Sequence, residues 1–304
     1  MYTERIENSS NIAPEQTLAR LAKITDLKRL IAQSEQRVTV SRPDLLSDQQ
    51  MSKRLTSCVG EIGQLGQPWN TGIEDIDDVL PIAGMSAGAV HEVSGAAYGD
   101  TVAASSYVLS LLWQLARLAP SGPILWCQTT KSQQEFGSVY GAGLKAFGFH
   151  ASQFIFAETP HKHDVLWALE EGARSRSLLA VVGEVDAISF TQTRRLSLAA
   201  AKSGTPVLLL RAHNDLSASA TETRWRIATT QGMPDPFLSN APGNPCWQVE
   251  LVRCRGGRPG SWNVEWNNET HRFSLVEQFS SRSSEVANTA INKRQIHFPQ
   301  RRSA

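Results

Sequence analysis

Apolar residues between Pro14 and Gln36 recur at three- and four-residue intervals, at Leu18, Leu21, Ile24, Leu27 and Ile31, with Arg20, Lys23, Lys28 and Arg29 elsewhere on the cylinder. That period predicts one amphipathic helix with a stripe to bury. From residue 37 to residue 67 the period lapses into Ser, Gln and charge, as in a flexible linker. Beyond Trp69 the pattern changes again. Ile124–Cys127, Phe154–Ala157, Leu178–Val182 and Val207–Arg211 are short apolar runs, the signature of strands buried on both faces. Helical periods lie between them, over Thr101–Leu118, Gln134–Phe147, His163–Arg176 and Phe190–Lys202, the last closed by Ser203-Gly204 as a C-cap. This alternation predicts an α/β protein with a doubly wound, mostly parallel sheet. After Arg211 only strands follow: Arg224–Thr229, Trp247–Cys254, Trp262–Trp266 and Arg272–Leu275. Gly/Pro- or Asn-rich turns join the last three, which fit antiparallel additions at a sheet edge. From Ser280 apolar residues thin out, and Arg282, Lys293, Arg294, Arg301 and Arg302 make a basic tail expected to be disordered. The expected organisation is a helix in residues 1–36, a linker in 37–67, a core in 68–279 and the tail in 280–304.

One junction in this pattern carries chemistry. Gly88-Ala89-Val90 leads, as a strand would, into His91-Glu92-Val93-Ser94-Gly95-Ala96-Ala97-Tyr98-Gly99-Asp100-Thr101, and Val108, Leu111, Leu112, Leu115 and Leu118 lead out as a helix. Strand, glycine turn and helix in that order form the context of a phosphate-binding loop. The G-x4-G-K-[ST] pattern nevertheless fails twice. Gly95 and Gly99 have three residues between them instead of four, and Asp100 stands where the lysine belongs, ahead of Thr101. A working loop turns backbone N–H groups and an ammonium toward phosphates. A carboxylate in that place repels them, so no nucleotide cofactor is expected.

Composition narrows the class. A chain of 304 residues is long enough for a full core, and a net charge of +1 gives no bulk attraction to nucleic acid or membrane. Cys58, Cys127, Cys246 and Cys254 form no C-x2-C pair, so neither zinc nor a disulfide framework is implied, and a reducing compartment fits. No apolar run approaches a membrane span and the N-terminus lacks a signal-peptide core, so a cytoplasmic protein is expected.

The loop, the alternating core and the antiparallel extension together resemble the RecA-like ATPase fold. Gly122-Pro123-Ile124-Leu125-Trp126-Cys127, Asp164-Val165-Leu166-Trp167-Ala168-Leu169-Glu170-Glu171 and Arg253-Cys254-Arg255-Gly256-Gly257-Arg258-Pro259-Gly260-Ser261-Trp262 resemble the ImuA family, with similarity running from about Trp69 to Val276. In RecA, two lysines spaced two apart and a proline four positions on reach a neighbouring subunit's γ-phosphate; Arg253, Arg255 and Pro259 match that spacing. RecA-type enzymes also carry a water-activating acid after the strand matching Ile124–Cys127, where this chain has Gln128-Thr129-Thr130. The aspartate that supports Mg²⁺ corresponds to Gly183-Glu184, and Glu184 is expected to be a solvated strand-end residue.

That resemblance implies a non-catalytic RecA-fold accessory protein in SOS-induced, error-prone translesion DNA synthesis after DNA damage. Its implied partners are an ImuB-like Y-family protein, an error-prone replicative-type polymerase, RecA, and DNA met directly or through them, with nucleoid association during damage. Arg253, Arg255 and Arg258 around a tight Gly-Gly turn are the candidate partner or DNA contact, since the planar guanidinium binds anions bidentately. Leu18, Leu21 and Leu27 are the candidate apolar contact, with folding back onto the core as the alternative. A divergent RecA-like ATPase and a RecA-fold cell-division inhibitor are the competing functions. Other groupings have ordinary readings. Asp75, Asp77 and Asp78 lie in a helix burying Ile73, Ile76 and Leu80; His161 and His163 lack a third metal ligand; Arg224-Trp225-Arg226 fits an edge strand with one core tryptophan; Trp113, Trp126 and Trp167 are core.

Overall fold

The computed structural model describes residue 22 and residues 25–33, 68–118, 122–232 and 243–276. Leu18, Leu21, the 37–67 linker and the 280–304 tail lie outside the described residues. A short helix, α1 (Glu74–Asp77), precedes strand β1 (Val90–Gly95) and, after a 3-10 turn at Tyr98–Asp100, the long helix α2 (Thr101–Leu118). Then come β2 (Ile124–Thr129), α3 (Thr130–Phe136), α4 (Gly141–Ala146), β3 (Phe154–Thr159), α5 (Lys162–Arg174), β4 (Ala180–Val185), α6 (Phe190–Ser203) and β5 (Val207–Arg211). Four further strands complete the order: β6 (Thr223–Thr230), β7 (Cys246–Cys254), β8 (Gly260–Asn267) and β9 (Arg272–Leu275).

The nine strands of the described residues form one sheet in the order β3-β2-β4-β5-β1-β6-β7-β8-β9. The first six in that order are parallel, and β7, β8 and β9 continue antiparallel. The fold is therefore α/β and RecA-like, as the alternation predicts. β6 is not the edge strand expected from Arg224-Trp225-Arg226, because it lies between β1 and β7. Its alternation is that of a sheet with one covered face: Trp225 and Ile227 are fully buried while Arg224 and Arg226 point the other way and stay half-buried.

Two apolar layers flank the sheet. On one face, α2 lays Tyr107, Val108, Leu111 and Leu112 over Trp225, Trp247, Val249, Trp266 and Phe273. The Tyr107 ring lies 5.7 Å from Phe273 and 6.1 Å from Trp247 between centroids, so the extension is welded to the parallel half by aromatic contacts. On the other face, α5 and α6 cover Val90, Leu125, Cys127, Val181 and Leu209. Leu27 and Ile31 of the N-terminal helix belong to this second layer, at 8% and 7% exposure, and Lys28 lies 5.7 Å from the centre of the Trp167 ring. Leu27 is thus placed in the chain's own core, which is the folding-back alternative and not a free contact surface.

Two boundaries differ from the sequence pattern. The helix expected over Gln134–Phe147 is two short ones, because Gly137 takes φ 88° and the chain leaves the helix there. The first strand is Val90–Gly95 and not the apolar Gly88-Ala89-Val90 run, since His91 and Glu92 are buried strand residues. His91 is held between the Thr223 hydroxyl at 2.8 Å and the Ser86 carbonyl at 2.9 Å, and burial pushes its pKa down, keeping it neutral.

Glu92 anchors an unusual connection. β5 and β6 both neighbour β1, so the 212–222 segment that joins them crosses over β1, and it does so without a helix. Charge holds it down instead. Glu92 accepts from Arg211 at 2.5 Å, from Arg224 at 2.8 Å and from Ser219 at 2.9 Å, while Arg211 also pairs with Asp215. Burial alone would raise the Asp215 pKa, but the Arg211 and Ser217 donors outweigh it and bring it down to about 2.

Candidate functional site at the carboxyl ends of the parallel strands

Above the carboxyl ends of β1, β2, β4 and β5 lies a cleft of about 520 Å³ lined by Tyr98, Thr101, Lys131, Glu135, Glu184, Asp186 and His213 among others. In open α/β sheets this is where ligands bind. Gly95 ends β1 and opens the turn that leads to Tyr98 and Thr101 in the cleft lining. A Cβ there would come within 2.7 Å of the Ala97 carbonyl oxygen and 2.9 Å of the Asp100 carbonyl carbon, so only glycine allows the turn to close. Gly99 is different, with nothing within 4 Å of an added Cβ.

Asp100 does not project at an empty anion position. Its carboxylate accepts from the Ala97 amide at 3.0 Å, inside the turn, and from the Thr229 amide of β6 at 2.9 Å. Partial burial opposes the charge, but those donors prevail and hold the Asp100 pKa below the usual carboxylate range. Thr101, next in line, gives its hydroxyl to the Tyr98 carbonyl at 2.8 Å. Both chemical groups at the loop's end therefore have partners from the protein itself.

The far wall is equally occupied. Glu184 is not the solvated strand end expected from the sequence. It accepts from the Trp126 indole at 2.8 Å and the Ser132 hydroxyl at 2.5 Å, and burial pushes its carboxyl up against those donors. Lys131 lies 3.7 Å from Asp186, and Tyr98 donates to Glu135 at 2.8 Å. Gln128 is buried at 5% exposure and its Oε1 has no partner among the described residues. Thr129 is the N-cap of α3, accepting from the Ser132 amide at 3.0 Å. The positive charge of Lys131 could not be assigned to this cleft from sequence, because nothing in the pattern brings the start of α3 against β4.

The arginine hairpin lies elsewhere. β7 ends at Cys254 opposite Thr223, the first residue of β6, whereas the cleft lies where β6 has already passed Ile227. The structure thus puts the two predicted sites at opposite ends of the sheet. Within the hairpin the three arginines divide. Arg253 is half-buried and donates to the Ser219 and Thr221 hydroxyls at 3.1 and 2.8 Å and to their carbonyls at 3.2 and 3.0 Å, clamping the crossover segment. Burial and the nearby Arg224 guanidinium both work against its charge. Arg255 and Arg258 are exposed, anchored through backbone amides to Glu222 and Val79, and their side chains make no hydrogen bond or ion pair among the described residues. Pro81 lies 3.7 Å from a Cβ built on Gly256, whose φ of 79° makes the turn.

The remaining groupings have structural roles. Asp77 accepts from the Thr71 and Gly72 amides at 2.8 and 3.2 Å, closing the turn that leads into α1, with Ile73, Ile76 and Leu80 buried. His161 and His163 stack with ring centres 5.3 Å apart, and among the described residues no three His, Cys, Asp or Glu side chains are placed to hold a metal. Trp126 is fully buried, while Trp113 and Trp167 are partly so. No helix of the described residues is long and apolar enough to cross a membrane.

Strand order 3-2-4-5-1-6, a glycine turn after the central strand and the cleft above it define an α/β protein of RecA-like fold. No family model matches the chain. It is 33% identical over 224 residues to Protein ImuA of Caulobacter vibrioides, in strain NA1000 / CB15N and in strain ATCC 19089 / CIP 103742 / CB 15, and the match spans 69% of this chain and 88% of each relative. The chain belongs to the ImuA family.

Proposed function

We propose that the chain is a non-catalytic RecA-fold accessory protein in SOS-induced, error-prone translesion synthesis. It works with an ImuB-like Y-family protein and an error-prone replicative-type polymerase, and meets DNA or RecA at the nucleoid through that assembly. Family membership supports the process. The loss of catalysis rests on one observation, the Asp100 carboxylate spanning the Ala97 and Thr229 amides. A phosphate would have to displace that carboxylate and would then face it with no lysine in support. Arg255 and Arg258, exposed and unpaired among the described residues, are the groups offered to a partner's carboxylates or to DNA phosphates, while Arg253 holds the segment beneath them.

The cleft itself favours the competing reading, a divergent ATPase, because it has the place and volume of a ligand site. Thermal unfolding separates the two. A ligand at 100 times its Kd adds about 2.7 kcal/mol, which at roughly 2–4 °C per kcal/mol for a domain of this size is a rise of about 5–11 °C. Saturating Mg-ATP is expected to leave the melting temperature unchanged and to release no phosphate. A rise of that size, lost in Thr101→Ala, overturns the non-catalytic reading.

A further inference from the structure

Helix α6 exposes large apolar residues on the side away from the sheet. Thr193, Leu196, Ala200 and Ser203 face the sheet. Phe190, Leu198 and Ala201 fall at i, i+8 and i+11 on the opposite stripe, where a surface helix ordinarily carries polar residues. Phe190 is 50% exposed and Leu198 65% exposed. The crossover segment brings a third such residue alongside. The Ser217 hydroxyl reaches the Ile188 carbonyl at 3.4 Å, Ala220 donates its amide to Thr193 at 2.9 Å, and Ser197 gives its hydroxyl to Ala220 at 2.9 Å. The same segment carries Leu216, 72% exposed.

This segment is rigidly held by Arg211, Arg224 and Arg253, so Leu216 is presented without a large ordering cost on binding. The charges within and beside the Phe190–Leu198 row are of one sign. Arg194 lies between Phe190 and Leu198, Lys202 follows, and neither side chain has an ion pair among the described residues. The nearby acids are occupied, Asp215 by Arg211 and Asp186 by Lys131. The chain's own 280–304 tail is basic, so charge disfavours it as the cover. The N-terminal helix is seated over Trp167 of α5 instead.

We infer that the outer face of α6, with Leu216, is a docking surface for an amphipathic helix of a partner protein whose apolar stripe is flanked by carboxylates. Apolar anchors at helical spacing fill the Phe190–Leu198 stripe, and the carboxylates meet Arg194 and Lys202. The surface adjoins the cleft at Asp215 and Ala187, but none of Phe190, Arg194, Leu198, Lys202 and Leu216 lines it, and none belongs to the Arg255 hairpin.

The test uses the full chain and two labelled synthetic helices with the same leucine stripe, one flanked by glutamate and the other by lysine, read by fluorescence anisotropy. The glutamate helix is expected to bind saturably and at least ten-fold more tightly than the lysine helix. Leu198→Glu and Phe190→Glu should each weaken it at least ten-fold with an unchanged melting temperature, while Tyr140→Glu, at another exposed ring, leaves binding intact. Equal binding of both helices, no saturable binding, or no loss in the variants overturns the proposal. So does self-association of the wild type that Leu198→Glu abolishes, or displacement of the glutamate helix by a single-stranded oligonucleotide.

Discussion

Replacing Glu92 by alanine tests whether charge is what holds the crossover over β1. Glu92 and Arg211 side chains are 1% and 2% exposed, and Arg224 is 19% exposed. Deleting the carboxylate strands one fully buried guanidinium and one largely buried guanidinium, with Asp215 as the remaining counter-ion for Arg211. Removing one partner of a buried pair typically costs about 3–5 kcal/mol, because the other charge stays behind uncompensated. At roughly 2–4 °C per kcal/mol this is a fall in melting temperature of about 6–20 °C. The internal reference is Arg226–Glu250, a pair at 3.5 Å whose members are 37% and 43% exposed; Glu250→Ala should cost no more than about 1 kcal/mol. Equilibrium urea unfolding followed by tryptophan fluorescence and by circular dichroism gives both values and checks that the transitions coincide. Limited proteolysis should also begin cutting within residues 212–222 of Glu92→Ala at a protease dose that spares the wild type. A loss below about 1 kcal/mol, indistinguishable from Glu250→Ala, would refute the argument and assign the crossover's order to packing alone.

Two further substitutions probe the loop and the N-terminal helix. Gly95→Ala should destabilise by about 1–3 kcal/mol, since its Cβ meets backbone atoms that have to shift, whereas Gly99→Ala should fall within about 0.5 kcal/mol of wild type; equal effects in urea unfolding would mean that the two glycines do the same work. Leu27→Ala should cost about 2 kcal/mol or more if the helix is packed as part of the core, and an unchanged melting temperature would restore the helix to the role of a detachable contact.

What the sequence makes legible follows from where the partners lie. Thr101–Leu118 and Val207–Arg211 have the predicted boundaries because local period and unbroken apolar runs determine them without outside help. β1 is obscured for the opposite reason. His91 and Glu92 look like loop residues until Thr223 and Arg224, more than a hundred positions away in the chain, are laid beside them. The same holds for Asp100. Its charge was visible and its opposition to phosphate followed, but its use as an acceptor depends on the Thr229 amide, which belongs to a different strand. For the hairpin, the Arg253–Arg255–Pro259 spacing was readable, yet the division between a clamped Arg253 and free Arg255 and Arg258 was not. Side-chain spacing along a strand end does not say which guanidinium the returning crossover will take. Gly137 was in plain view, but glycine within a helical period leaves open whether the helix bends, pauses or stops.

The bond from Asp100 to Thr229 also makes the turn and strand β6 depend on one another. In an intact phosphate loop a lysine is a free-standing part, and exchanging it changes chemistry while the backbone stays in place. Here the residue at that position is a rivet between the turn and strand β6. Replacing Asp100 by lysine would remove the rivet, loosening the end of β6 beside Ala96, whose amide already bonds Ile227. The turn would still have three residues between its glycines. Position 100 is thus a joint of the sheet as well as a place in the loop, and a change there is felt along β6 before it is felt by any ligand.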